Sequence, residues 1–188
     1  MSTKITKKSK LSREIILPEG VSATYNDYVL SVKGPLGTSE KDFRLIMVNL
    51  KLQDDKVILT AFSSRKKSLA ILGTGFSLVT NIIFGVQHGY TYKLKTAYAH
   101  FPITVSADQE KVKIDNFYGE RSPRFANILG STKVSVDGDT LTVSGISLED
   151  VSQTAANVEQ VTKIKRKDQR IFLDGIYIFE KERGSNVN

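Results

Sequence analysis

Leu50-Lys51-Leu52-Gln53-Asp54-Asp55-Lys56-Val57-Ile58-Leu59 decides the fold, because its pattern occurs twice. Apolar and polar residues alternate on both sides of a polar turn, which predicts a β-hairpin. The pattern returns 84 positions later as Val134-Ser135-Val136, the turn Gly138-Asp139, and Leu141-Thr142-Val143.

The match extends outward in both directions. Pro18-x-x-Val21 aligns with Pro102-x-x-Val105 at the same offset of 84. Leu30-Ser31-Val32 aligns with Val112-Lys113-Ile114, Gly37 with Gly119 and Phe43 with Phe125, all at 82. The slip falls in turns, where a change in loop length costs little.

Each copy closes with a helical pattern. In the first, Leu69, Leu72, Phe76, Val79, Ile83 and Val86 form one stripe and Thr74, Ser77 and Asn81 another, with Ser63-Ser64 able to cap. Residues 68–92 carry no Asp, Glu, Lys or Arg and are long enough to span a bilayer. Their scattered Gly, Ser, Thr and Asn argue for a buried amphipathic helix instead. In the second copy Ser147 is the expected N-cap and Glu149 and Asp150 lie in the first turn. Leu148, Val151, Ala155, Val158 and Val161 form its apolar face.

The expectation is therefore an α+β chain of two tandem similar domains, each an antiparallel sheet covered by one helix. The divisions are a basic N-terminal arm over 1–12, a first repeat over 13–88, a second over 89–181 and a tail over 182–188.

The second copy carries an addition that the first lacks. Residues 163–181, KIKRKDQRIFLDGIYIFEK, join the basic run Lys163, Lys165, Arg166, Lys167 and Arg170 to an apolar run through Tyr177 and Phe179. One reading is a segment anchored on its domain and docked on an anionic polymer. The other is a solvated basic helix end before an ordinary last strand. Asp174-Gly175 within it reads either as a hairpin turn or as a kink.

Composition narrows the chemistry. The chain has 188 residues, 27 Lys and Arg against 20 Asp and Glu, a net charge of +7 and no cysteine. That excess draws a protein to phosphates or anionic surfaces. Lack of cysteine rules out disulfides, thiolate metal sites and cysteine nucleophiles. Residues 1–14 lack the apolar core of a secretory signal.

No catalytic constellation, metal cluster or cofactor motif is expected. His88 and His100 are isolated and read as structural or RNA-facing. Gly73-Thr74-Gly75 lies inside a helical pattern and has no Lys after it, so it is not a phosphate loop. Binding chemistry is better represented. Tyr90, Tyr92, Lys93, Lys95, Tyr98 and His100 alternate along an expected strand, while Phe117, Tyr118, Arg121 and Arg124 cluster in a glycine-containing turn. The aromatics are expected in the core. The cations are expected on phosphate, where an arginine fork fits two oxygens.

At this point the chain resembles the large-subunit ribosomal protein L-six family, in its eukaryotic and archaeal branch (called L-nine in eukaryotes). The matching stretches are Val32-Lys33-Gly34-Pro35-Leu36-Gly37-Thr38, residues 85–92, Tyr98-Ala99-His100-Phe101-Pro102-Ile103, Asn116-Phe117-Tyr118-Gly119-Glu120 and Phe172-Leu173-Asp174-Gly175-Ile176-Tyr177. The resemblance implies two α+β domains from duplication. It implies a non-enzymatic, cytoplasmic role in the ribosome, on large-subunit rRNA near the sarcin–ricin loop and the factor-binding region. Neighbouring ribosomal proteins and translation factors are the implied partners, with no membrane, cofactor or small-molecule substrate. In the family the C-terminal domain makes the main RNA contacts, and the residues here that match those regions are His100, Arg121, Arg124, Lys163, Lys165, Lys167 and Arg170, with Arg166 in the same run. The chain departs from the family at Leu36, usually basic, and near Phe62-Ser63, where tryptophans are usual. Its loop after Gly119 is less basic, and its tail after Lys181 is short. The runner-up is a free RNA-binding or assembly factor using the same surface. A nuclease or hydrolase on the duplicated sheet would need clustered acids or a histidine pair.

Overall fold

The computed structural model describes residues 5–9, 11–53, 55–99, 101–165, 168 and 171–184. His100, Arg166, Lys167, Arg170, the turn residue Asp54 and the tail over 185–188 lie outside the described residues. The chain divides into two compact units between Gln87 and His88.

Unit one runs β1 (Ile5–Ser9), β2 (Ser12–Ile16), β3 (Ser22–Asn26), β4 (Val29–Gly34), β5 (Gly37–Asp42), β6 (Val48–Gln53), β7 (Lys56–Ala61) and α1 (Lys66–His88). Where one sheet was expected there are two, ordered β1-β2-β7-β6 and β3-β4-β5. All their neighbours are antiparallel. Within the stretch expected as a basic arm, Ile5–Ser9 is a strand paired with β2.

The quoted hairpin is β6–β7, with Leu50 opposite Leu59 and Leu52 opposite Val57. Alternation puts these apolar residues on one face, where Leu50, Val57 and Leu59 are buried with Ile15 of β2. α1 covers that face. A Cβ on Gly75 would lie 3.4 Å from side-chain carbons of both Leu59 and Val48, so glycine lets the helix approach closely. By length and composition α1 could cross a membrane. Leu72, Val79, Ile83 and Val86 of the expected stripe are buried, together with Gly75 and Gly85, while Leu69 and Phe76 are half-buried.

Unit two runs β8 (Tyr90–Ala97), β9 (Thr104–Ala107), β10 (Lys111–Asp115), a 3-10 turn (Phe117–Gly119), β11 (Arg124–Asn127), β12 (Lys133–Asp137), β13 (Thr140–Gly145), α2 (Leu148–Val161) and β14 (Gly175–Arg183). Its sheets are ordered β12-β13-β8-β14 and β11-β10-β9. α2 starts at Ser147, whose hydroxyl accepts the Asp150 N–H at 3.3 Å. Val151, Thr154, Ala155 and Val158 are its buried face. The α+β class and the two repeated sheet-and-helix units are as the sequence predicts.

The ladders refine the repeat. Val134 faces Val143 as Leu50 faces Leu59, which keeps the offset of 84. The third strand differs. Leu30 faces Lys41, eleven residues on, while Val112 faces Ala126, fourteen on. Unit two thus holds three extra residues in this loop, around the 3-10 turn. The Phe43–Phe125 alignment is displaced accordingly: Phe43 is 1% exposed and Phe125 52%. The counterpart of Phe43 is Ile128. Their N–H groups make matching 2.8 Å bonds, Phe43 to Tyr28 O and Ile128 to Glu110 O.

The last strand also has a positional counterpart. β14 flanks β8 as β1 flanks β2, one supplied by the chain's C-terminal end and the other by its N-terminal end. Asp174-Gly175 starts that strand and turns no hairpin. Asp174 is buried and accepts the Ala99 N–H at 2.7 Å.

Candidate nucleic-acid interface

The C-terminal end of α2 organises the site. A helix end leaves carbonyls without intrahelical partners and carries partial negative charge. Two side chains answer that here. Thr162 donates its hydroxyl to the end of the helix, at 3.1 Å from Glu159 O, and accepts the Ile176 N–H at 3.1 Å. The helix end is thereby tied to β14. Arg124 of β11 donates from one Nη to Val161 O at 2.6 Å.

Arg124 is also held from its own loop. Its Nε donates to Glu120 Oε2 at 2.8 Å and its second Nη to Oε1 at 2.6 Å. Its guanidinium lies 4.3 Å from the centroid of buried Phe117. The Arg124 bond draws the Glu120 carboxyl below the usual carboxylate range, against a smaller opposing effect of burial. The loop conformation is specific: Asn116 and Tyr118 have positive φ, and Gly119 at +71° packs against the Phe101 ring.

The chain leaves this clamp as Lys163-Ile164-Lys165, with both lysines exposed and Ile164 half-buried. Beside it lies a polar groove of about 710 Å³, lined by Arg124, Phe125, Ala126, Asn127, Asn157, Gln160, Val161, Lys163 and Lys165. The described lining contains three cations and no carboxylate. Phe125 stands exposed on its wall.

Of the residues expected on RNA, the structure brings together Arg124, Lys163 and Lys165. Arg121 is exposed but does not line the groove. His100, Arg166, Lys167 and Arg170 are outside the described residues. Arg124 departs from the simple phosphate fork, since three of its five N–H groups are already donated within the protein. Sequence reasoning missed Gln160, Asn157 and Phe125 as groove residues. The Glu120–Arg124 spacing was the available signal for the ion pair.

On β8, Lys93 contacts Glu180 and Glu182 of β14 at 3.0 Å each. Those hydrogen bonds push the Lys93 pKa up. Glu180 and Glu182 therefore pair across strands, from β14 to β8. Tyr90 and Phe117 are buried, as expected for core aromatics, whereas Tyr98 of the same expected set is 45% exposed. Among the described residues no cluster of His, Cys, Asp or Glu has the makings of a metal site.

A family model described as Ribosomal protein L6 matches residues 101–175. Relatives named "Large ribosomal subunit protein uL6" match along most of the chain. That of Methanosarcina mazei is 48% identical over 172 residues, covering 92% of this chain and 98% of the relative. That of Methanobrevibacter smithii is 45% identical over 172 residues, covering 92% and 97%. That of Staphylothermus marinus is 43% identical over 180 residues, covering 94% and 97%. With two duplicated α+β units and likeness along nearly its whole length, the chain belongs to the ribosomal protein L6 (uL6) family of the large ribosomal subunit.

Proposed function

We propose that this chain is a structural constituent of the large ribosomal subunit that holds rRNA through unit two. The carrying observation is the groove beside α2, where Lys163, Lys165 and Arg124 gather with no carboxylate in the described lining. Lysines on an exposed loop take phosphate as point charges. The clamp at Arg124 and Thr162 fixes where the loop starts, so the charges are presented from a rigid base. Arg124 acts mainly as that clamp, with its two remaining N–H groups available to phosphate.

In this reading Arg121 and the 166–170 cations extend the same contact, and His100 faces RNA. Unit one serves as a rigid extension reaching neighbouring RNA or protein. The rRNA region is that near the sarcin–ricin loop and the factor-binding region, as the family resemblance implies. Other large-subunit proteins and translation factors are then neighbours, and the cytoplasmic ribosome is the location. The protein acts by holding RNA, not by catalysis.

The test is salt-dependent binding of purified large-subunit rRNA by wild type and by a Lys163→Gln/Lys165→Gln variant. If about six phosphates are neutralised, a fourfold rise in salt weakens wild-type binding roughly a thousandfold. The double variant should bind more weakly and lower the salt slope by about two. An unchanged slope contradicts the assignment of these lysines.

A further inference from the structure

Directly beside the polar groove lies a second pocket with a different lining. Its volume is about 650 Å³, and it is lined by Ala97, Glu159, Gln160, Thr162, Lys163, Ile164, Phe172, Leu173 and Tyr177. That is within the roughly 300–1,000 Å³ typical of small-molecule sites. Gln160 and Lys163 line both cavities, so they form a shared rim.

We propose that this pocket receives one unpaired RNA base, extruded from a strand whose phosphates lie in the polar groove. The proposal rests on the RNA-binding reading above and deepens it.

Three observations carry it. The first is an aromatic platform. The Tyr177 ring packs over Gly175, where a Cβ would lie 3.0 Å from its Cζ and Oη. Its hydroxyl donates to Leu173 O at 3.1 Å, which fixes the ring's tilt. Yet Tyr177 is 45% exposed and Leu173 63% exposed. An oriented ring with one side packed and considerable open area suits stacking on a base, which needs a flat π surface and no particular sequence.

The second is polarity. Thr162 is already committed to the helix end and to Ile176. Glu159 and Gln160 therefore provide the polar groups over an otherwise apolar floor. A carboxylate accepts from exocyclic and ring N–H groups, and an amide both donates and accepts. This is the chemistry of a base edge.

The third is charge. Lys163 stands on the rim common to both cavities, where the phosphate next to an extruded base would pass. A peptide side chain could fill the apolar floor, but it would gain little from a rim lysine that continues into Lys165 and Arg124.

The experiment uses the full chain and four probes, each a short RNA duplex with a single unpaired A, G, C or U, against the fully paired duplex. At least one bulged RNA should bind wild type roughly tenfold tighter than the duplex, the scale of one base–aromatic stack. Tyr177→Leu should abolish that preference while leaving duplex binding and its salt slope unchanged. Tyr177→Phe should retain most of it. If Tyr177→Leu fails to fold, Leu173→Asp puts a charge at an exposed position of the same wall and should give the same loss. A 2-aminopurine at the bulge should be quenched on binding by wild type but not by Tyr177→Leu. Equal affinity for duplex and all four bulged RNAs overturns the base pocket but leaves the phosphate groove standing. No binding to any RNA overturns the groove as well.

Discussion

Arg124 grips both carboxylate oxygens of Glu120, at 2.8 and 2.6 Å, while its other Nη holds Val161 O at 2.6 Å. One guanidinium thus joins the loop after β10, strand β11 and the end of α2. The planar fork makes this possible: it serves two oxygens on one edge, keeps a further donor for the carbonyl, and lays its face toward Phe117. A cation here also meets the negative end of the helix dipole.

Arg124→Lys should therefore not behave as a conservative change. An ammonium keeps the charge but loses the fork and the stacking on Phe117. Because Glu120 is partly exposed, the pair alone is worth at most about 1 kcal/mol. Loss of the Val161 bond adds about another 1 kcal/mol. Thermal denaturation of a chain this size should fall by about 4–8 °C. An unchanged melting temperature would show that the clamp is idle.

The same pair predicts a pH effect of known sign. Glu120 has a lowered pKa in the folded state, chiefly through the Arg124 hydrogen bonds. Its contribution to stability is full above the ordinary carboxylate pKa and disappears as pH falls through the lowered value. Glu120→Gln should melt below wild type at neutral pH, and the gap should close under acid conditions. A gap that widens on acidification would reverse the assignment.

Tyr90 carries a complementary effect at high pH. It is fully buried at the start of β8, and desolvation pushes its phenol up to about 12 from an ordinary 10. The folded state resists ionisation that the unfolded state accepts. Stability from this group is complete below pH 10 and is lost as pH rises toward 12. Alkaline titration followed by circular dichroism should show Tyr90→Phe losing less stability than wild type over that window.

Gly34 tests the packing of unit one. It ends β4, and a Cβ there would lie 2.8 Å from both Cγ2 and the backbone O of Val86 in α1. The Val86 carbonyl already accepts the Leu36 N–H at 3.0 Å, so it cannot yield without losing that bond. Gly34→Ala should cost about 1–3 kcal/mol in denaturant unfolding. Gly138→Ala is the contrast, because nothing lies within 4 Å and only its φ of +56° opposes the change.

Hydrophobic alternation made the two hairpins and both helices legible, since periods of two and of 3.6 are written directly in residue order. The 84-residue offset survives in the ladders because hairpin register follows turn length. Two features were not legible. A three-residue insertion before β11 leaves phenylalanines at 43 and 125 by coincidence, and only the backbone bonds of Phe43 and Ile128 show the true equivalence. Nor does a sequence state which strand fills a sheet edge. β1 and β14 take the same place from opposite ends of the chain, and no local pattern records that. At the site, charge composition pointed to Arg124, Lys163 and Lys165. It could not show that Arg124 spends three donors within the protein, because Val161 lies 37 residues away.

The central claim, that unit two holds this chain on the large subunit through Lys163 and Lys165, is tested most directly by sedimentation. Tagged wild type and the Lys163→Gln/Lys165→Gln variant would be run with large subunits at moderate salt. Wild type should travel with the large-subunit peak and the double variant should shift toward the free fractions. A variant that remains wholly in the peak, or a wild type that is wholly free, would contradict the account.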